Sequence, residues 1–162
     1  MSLASTLAAD SEAALRSAQS SLQPWPALAA SGPLADAEKE YAEARLCAAL
    51  VARTSVPSAA SLGVGASSWL NGLAEAASEL RRNILDRLRA GELARAEELL
   101  AAMDDVYAQL VTVDHPDAVT GGLRRTTDAL RAVLERTRGD LTVTVVQARL
   151  QHALDEHRPD QR

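Results

Sequence analysis

The chain must build its core almost without aromatic side chains. It has no phenylalanine, and its aromatic residues are Trp25, Tyr41, Trp69 and Tyr107, so alanine, leucine and valine have to fill the interior. Alanine and leucine favour helix, and alanine faces let helices approach closely. A length of 162 residues fits one domain. We therefore predict a single all-α domain over residues 1–162, an antiparallel bundle of about five to six helices.

Helical patterns separated by breakers divide the chain. Apolar spacings of three and four residues predict helices over residues 5–22, 34–53, 67–90, 92–113 and 123–156, with one turn at 27–30. Ser67 or Ser68 is predicted to cap the third long helix, and Gly91 to end it. The stretch 54–67 is rich in Ser, Gly and Pro and is predicted to be a long loop. We expect the tail from 157 to 162 to fray.

Charge and cysteine content exclude several classes of protein. The formal net charge is −5, which gives no general attraction to nucleic acid or to an anionic membrane. Residues 118–162 hold 8 basic and 6 acidic side chains, against 9 and 16 in residues 1–117, so any anion-binding surface should be C-terminal. Cys47 is the single cysteine and excludes an intrachain disulfide. The N-terminal sequence lacks a basic segment, and no apolar run reaches the roughly 18 residues of a membrane span. We expect a cytoplasmic protein with no membrane partner.

Two glutamates on the second long helix are the first candidates for chemistry. Glu40 and Glu43 are three residues apart, so their carboxylates can converge beside the helix. The same spacing is common on solvated helix faces, and spacing alone leaves both interpretations open. Carboxylate pairs suit Mg²⁺ or Mn²⁺, which prefer oxygen ligands. Glu75 and Glu79 on the next long helix are the natural source of a further ligand.

Several motifs occur in a characteristic order. EYAEA at 40–44 is followed by GLAEAASEL at 72–80, by LRAGELARAEELLAAMDDVYAQL, by the DHPDAVT turn and by GLRRTTDALRAVLERTRGDLT. Together they resemble the translin and translin-associated factor X family, whose members show an EYVEA-type helix and then a GLADLTGEL-type helix. The later segments look like the archaeal and bacterial branch of that family. The resemblance covers about residues 34–150.

This resemblance implies an all-α protein that assembles into a hollow oligomer and binds single-stranded RNA or DNA. In the factor X branch, the two glutamates of the first motif and the aspartate of GLAD form a Mg²⁺-dependent endoribonuclease site. Glu40 and Glu43 match that pattern, and Glu75 stands at the aspartate position. The resemblance thus implies that these three residues are catalytic and bind Mg²⁺, with Mn²⁺ as the other candidate ion. Glu79 is a fourth candidate ligand, or a partner of Arg82.

The first 33 residues depart from the family pattern. Members usually begin with a longer basic helix, whereas Arg16 is the one basic residue of this segment, so we expect a divergent N-terminal part that is short by most of one helix. Three functions stay open: an endoribonuclease acting on short RNA, a nucleic-acid-binding or scaffold subunit without activity, and a helical protein-interaction module. The assembly is expected to be a homo-oligomer, or a hetero-oligomer with a longer translin-like subunit.

A second set of candidate residues is basic and lies on the last predicted helix. Its members are Arg124, Arg125, Arg131, Arg136 and Arg138. Three of them recur every seven residues and share a stripe, and the arginine fork suits phosphate. We predict a nucleic-acid-binding surface of Arg124, Arg125, Arg131 and Arg138. The alternative is that nearby acids pair with these arginines on an exposed face or a subunit interface, namely Asp128, Glu135 and Asp140.

Overall fold

The computed structural model describes residues 3–157, and all regular secondary structure in that range is helical. Five long helices are joined by four connections, three of which contain a single turn of helix. The elements are α1 (Leu3–Leu22), α2 (Pro26–Ala29), α3 (Pro33–Ala52), α4 (Ala59–Leu62), α5 (Ala66–Arg89), α6 (Leu93–Leu110), α7 (Asp117–Thr120) and α8 (Leu123–Glu156). The predicted all-α bundle is confirmed, and the five long helices are those that the apolar spacing predicted.

Helix α5 lies at the centre of the bundle and packs against α3, α6 and α8. Its apolar face is buried, with Leu80 and Ile84 fully excluded from solvent. Ala74 and Ala76 are also fully buried, so α5 contacts its neighbours around more of its circumference than one stripe. Small side chains on these additional faces let three helices approach at once, which is how a chain with few aromatic residues reaches a dense core.

The start of α5 differs from the prediction. The helix begins at Ala66 with Gly65 as its N-cap, and neither Ser67 nor Ser68 caps it. Ser68 instead donates its hydroxyl to the Ala35 carbonyl oxygen at 3.0 Å. A carboxylate from α3 satisfies the helix start, because the Gly65 N–H donates to Glu38 Oε2 at 2.8 Å. A negative charge at a helix N-terminus is also favoured by the helix dipole.

The stretch predicted as a long loop contains one turn of helix. The Ser58 hydroxyl caps α4 by accepting a hydrogen bond from the Ser61 N–H at 3.1 Å. The Trp69 indole N–H donates to the Pro57 carbonyl oxygen at 2.9 Å, and Arg16 of α1 donates to carbonyl oxygens at the end of α4. Contacts from distant helices therefore order this segment, and a search for helical periodicity cannot detect them.

Helix α8 is continuous through Gly139 and through the β-branched run 142–146. Its 34 residues correspond to about 51 Å. Its last buried position is Leu141, so most of the 15 residues after it project past the core. Four apolar residues there are 57–63% exposed, namely Val143, Val146, Leu150 and Leu154. Of the predicted fraying tail, residues 158–162 lie outside the described range.

None of the helices between residues 3 and 157 is both long enough and apolar enough to cross a membrane.

Candidate functional site

Three of the predicted site residues come together between α3 and α5. Glu40 and Glu43 lie one turn apart on α3, and Glu75 faces them from α5. One carboxylate oxygen from each residue lies within 4.8 Å of the other two. Glu40 is exposed, whereas Glu43 and Glu75 are half-buried, so this acidic cluster is open to solvent. The structure thus joins residues that are 35 positions apart in the sequence.

The two helices can bring these carboxylates together because α5 has a glycine where it crosses α3. A Cβ atom on Gly72 would lie 2.9 Å from the Lys39 carbonyl oxygen and 3.0 Å from the Glu43 nitrogen. Both atoms belong to the backbone and cannot move aside on their own. Any other residue at this position would push α3 away from α5. Gly72 precedes Glu75 by almost one turn, so it sets the separation of the acidic residues.

A lysine occupies part of the acidic cluster. Lys39 Nζ lies 2.7 and 2.9 Å from the two carboxylate oxygens of Glu75 and 3.3 Å from Glu40 Oε1. Its side chain is only 24% exposed. The hydrogen bond with Glu75 raises the pKa of Lys39 above its ordinary value, so the ammonium stays charged. The cluster therefore holds a positive charge of its own.

Glu43 is the carboxylate of the cluster whose charged form is destabilised by its surroundings. Burial, followed by the charges of Glu75 and Glu40, raises the pKa of Glu43 to about 7. A hydrogen bond with Glu75 contributes in the same direction, as expected when two carboxyl groups share a proton. At neutral pH Glu43 is therefore partly protonated, which is common where acids are assembled for chemistry rather than for stability.

Glu79 lies beside the cluster and outside the group of three. It is exposed and lines an open pocket of about 520 Å³ together with Glu40, Glu43 and Cys47. In the described part of the chain Glu79 forms no ion pair with Arg82, the partner that the sequence offered as an alternative to metal. Burial and the charges of Glu79 and Glu43 raise the pKa of the Cys47 thiol. A thiol with a raised pKa is less often ionised and is therefore a weak nucleophile at neutral pH.

The three carboxylates fit a hard divalent cation. Mg²⁺ takes oxygen ligands at about 2.1 Å, so its ligand atoms lie at most roughly 4.2 Å apart, and the oxygens here need only small side-chain movements to reach that geometry. Glutamate at position 75 is long enough to close the remaining gap. Because Glu40 is exposed, bound water can complete the coordination. Glu40, Glu43 and Glu75 are thus the residues that would hold Mg²⁺ or Mn²⁺.

The predicted arginines divide into two groups in the structure. Arg124, Arg125 and Arg131 are exposed, and none of their side chains has an ion-pair or hydrogen-bond partner among residues 3–157. Arg138 instead pairs with Asp104 of α6 at 2.5 Å. Of the acids expected to neutralise the stripe, Asp140 pairs with Arg81 of α5 at 2.8 Å. Of the predicted arginines, those whose side chains are left free for a ligand therefore lie in the N-terminal half of α8.

A second open pocket, of about 830 Å³, lies where α6 ends, α7 turns and α8 begins. Asn71 of α5 organises this corner, because its Nδ2 donates to the Thr120 carbonyl oxygen at 2.7 Å and its Oδ1 accepts from the Thr126 hydroxyl at 2.8 Å. Thr127 lines the pocket, and its buried hydroxyl has no hydrogen-bond partner in the described part of the chain. Residues of the DHPDAVT turn and the predicted Arg124 also line this pocket.

The sequence pattern missed Lys39 and Gly72. A glycine inside a strong helical pattern is a signal, since it usually has a packing reason. Lys39 gives a weaker signal, because a lysine next to a glutamate is ordinary on a helix surface. Its contact with Glu75 depends on the register between α3 and α5, which the sequence does not reveal.

Comparison with known proteins gives a consistent set of relatives. No protein-family profile matches the chain. An uncharacterised protein of Methanocaldococcus jannaschii is 30% identical over 124 residues, which are 76% of this chain and 55% of that protein. The chain thus spans little more than half the length of this curated relative.

Solved structures add the fold. AfC3PO in complex with duplex RNA has a TM-score of 0.69 and 28% identity, covering 84% of this chain and 73% of that one. The crystal structure of AfC3PO also has a TM-score of 0.69, with 27% identity and coverage of 86% and 70%. The chain therefore has an all-helical fold similar to that of the archaeal AfC3PO. This likeness supports the resemblance to the translin family that the motifs predicted.

Proposed function

We propose that this protein binds RNA and cleaves it with a divalent cation held by Glu40, Glu43 and Glu75. The observation that carries the proposal is the convergence of these three carboxylates within 4.8 Å across a helix contact that Gly72 keeps short. The likeness to AfC3PO, whose structure was solved with duplex RNA, supports RNA as the ligand. The substrate expected from the motifs is short single-stranded RNA, with single-stranded DNA as a further ligand.

Metal binding by the cluster should depend on the protonation of Glu43. Glu40, Glu43 and Glu75 would hold Mg²⁺ or Mn²⁺, which would supply a water of lowered pKa and positive charge for the phosphate. Glu43, whose pKa is about 7 in the free protein, must give up its proton before it can bind a cation. The affinity for metal should therefore rise as the pH increases through about 7.

The nuclease proposal is tested with end-labelled short single-stranded RNA in Mn²⁺ or Mg²⁺. Glu43→Gln keeps the shape of the side chain and removes its charge, and it should reduce the cleavage rate on the order of a hundredfold. Glu135→Gln is the matched control, because Glu135 is exposed on α8 without an ion-pair partner among the described residues. Equal cleavage by the wild type and Glu43→Gln would remove the assignment of the site.

RNA binding is proposed to use the free arginines of α8, Arg124, Arg125 and Arg131. Three phosphate contacts should weaken binding about 20- to 40-fold when salt rises from about 50 to 200 mM. Arg131→Glu should weaken binding and flatten this salt dependence, whereas the same change at Arg89, an 84% exposed residue at the end of α5, should not. Filter binding measures the affinity of the wild type and of both variants for single-stranded RNA, single-stranded DNA and duplex RNA. Affinity that does not depend on salt contradicts a phosphate-binding surface.

A second candidate function is binding without cleavage, as a scaffold subunit of an oligomer. Two observations favour it: Glu75 stands where the catalytic motif has aspartate, and Lys39 already neutralises part of the cluster. Salt-dependent RNA binding by the wild type, with no cleavage in either metal, would select this function over the nuclease.

Assembly is proposed to use the projecting end of α8. Val146, Leu150 and Leu154 follow one another at intervals of four residues and expose an apolar stripe, which a monomer seldom leaves uncovered. A second copy of the chain is the proposed occupant. Leu150→Asp should lower the molecular mass measured by light scattering, whereas Leu28→Asp, at a leucine of similar exposure on α2, should not. An unchanged mass in Leu150→Asp would exclude this surface.

A further inference from the structure

Lys39 is the one lysine in the chain. The other 16 basic residues are all arginines, and the single exception is placed inside the acidic cluster. An ammonium group is a compact point charge that donates hydrogen bonds in several directions, whereas a guanidinium is a flat fork. Among the basic side chains, lysine is therefore the one that most resembles a small cation surrounded by carboxylate oxygens.

The position of the ammonium group agrees with this comparison. Nζ contacts both oxygens of Glu75 and one oxygen of Glu40, which are two of the three residues that converge as candidate metal ligands. A cation that bound between Glu40, Glu43 and Glu75 would have to share these oxygens with the ammonium or replace it. Two positive charges at such short separation repel strongly in a half-buried site.

We propose that Lys39 is an internal counter-ion that a divalent cation displaces from Glu75 and Glu40. Lys39 thereby sets the metal affinity of the site, and its side chain is released toward solvent when the metal binds. This inference rests on the proposed function, because it concerns the same acidic cluster. It goes further by naming the competitor that the metal has to replace.

A purely structural role for Lys39 predicts the opposite behaviour. If the ion pair served only to hold α3 against α5, its removal would loosen the cluster and weaken metal binding. The contact at Gly72 already fixes the approach of these helices through backbone atoms. Removing the ammonium should therefore leave the helix spacing intact and free the oxygens for metal.

The first test uses the unmodified protein. Lys39 is the only lysine, so acylation of primary amines followed by mass spectrometry reports its accessibility without ambiguity, with the N-terminal amine as an internal reference. Saturating Mn²⁺ should increase the acylation rate of Lys39 several-fold relative to EDTA, while the rate of the reference amine stays constant. An unchanged Lys39 rate at a Mn²⁺ concentration that saturates binding would overturn the proposal.

The second test measures Mn²⁺ affinity by calorimetry in three variants. Lys39→Gln should bind Mn²⁺ about five- to tenfold more tightly than the wild type, since the metal no longer has to break an ion pair. Lys39→Arg keeps the charge and should retain the weak affinity. Glu43→Gln should lose binding. Circular dichroism verifies that each variant is folded. If Lys39→Gln is unfolded, the acylation test on the unmodified protein decides the question.

The outcomes separate the two proposals. Mn²⁺ binding that depends on Glu43 and is no tighter in Lys39→Gln contradicts the role of Lys39 and leaves the metal site standing. Binding that persists in Glu43→Gln, or is absent from every form of the protein, removes the metal site and the role of Lys39 together. Binding that appears only in Lys39→Gln supports the displacement most strongly.

Discussion

Glu43 should reduce the stability of the metal-free protein at neutral and higher pH. Its carboxylate is half-buried beside Glu40 and Glu75, and its pKa is raised to about 7 from an ordinary value of 4.5. Below pH 4.5 the group is protonated in both folded and unfolded protein and has no effect. As the pH rises from 4.5 to about 7, the unfolded chain loses this proton more readily than the folded protein does, so stability falls.

The size of the effect follows from the two pKa values. Their difference corresponds to about 3 kcal/mol if the charge is poorly solvated, and solvent access through the exposed side of the cluster should reduce this to about 2 kcal/mol. Glu43→Gln mimics the protonated form. It should raise the free energy of unfolding at about pH 8 by this amount, equivalent to a rise in Tm of about 4–8 °C, and should change it little at about pH 4.5.

The assay is urea and thermal unfolding in EDTA at both pH values, with Glu135→Gln as the control that should follow the wild type. Addition of Mn²⁺ should narrow or reverse the difference at the higher pH, because binding to the folded wild type adds stability that Glu43→Gln cannot gain. If Glu43→Gln is less stable than the wild type at about pH 8, or changes the free energy of unfolding equally at both pH values, the raised pKa of Glu43 does not reduce stability as argued.

Two further predictions use matched pairs of substitutions. Gly72→Ala should lower the free energy of unfolding by about 1–3 kcal/mol and weaken Mn²⁺ binding, because its methyl group meets the backbone of α3. Gly139→Ala, with open space around it on α8, should raise the free energy of unfolding by about 0.5–1 kcal/mol. Urea unfolding measures the change in both variants. Equal effects of the two substitutions would contradict the tight contact at Gly72. Thr127→Val removes a buried hydroxyl without a hydrogen-bond partner in the described residues and should leave stability unchanged or raise it by up to about 1 kcal/mol. Thr137→Val removes a fully buried hydroxyl that accepts from Arg81 and donates to a backbone carbonyl, and it should lower stability by about 1–2 kcal/mol; the reverse order in thermal unfolding would contradict this account.

Periodicity predicted the long helices well because each has to bury one face. The buried residues Leu80 and Ile84 are four apart, which is one of the spacings that predicted the helix over 67–90. The single turn α4 and the start of α5 at Ala66 could not be predicted in the same way. They depend on a carboxylate from another helix, since the Gly65 N–H is satisfied by Glu38. Local capping rules therefore favoured Ser67 or Ser68 as the N-cap. In the structure a carboxylate from α3 lies at the helix start instead.

The candidate site was predictable in part. The spacing of Glu40 and Glu43 placed both carboxylates on one side of a helix, and the family resemblance supplied Glu75 as their partner. The sequence could not predict which charged side chains on different helices form ion pairs. Asp140 pairs with Arg81, and Arg138 pairs with an acid of α6, because helix crossings decide which charges meet. Spacing within one helix carries no information about these crossings.

The contact at Gly72 makes the separation of the acidic residues a property of the main chain. Exchanges among Leu, Ala and Val elsewhere in the bundle change side-chain volumes and let helices shift by fractions of an ångström. At this crossing the limit is instead the Lys39 carbonyl and the Glu43 nitrogen, which leave no room for one methyl group. The core can therefore vary widely around a fixed point, and tolerance of substitution should be high in the bundle and lowest at a residue that has no side chain.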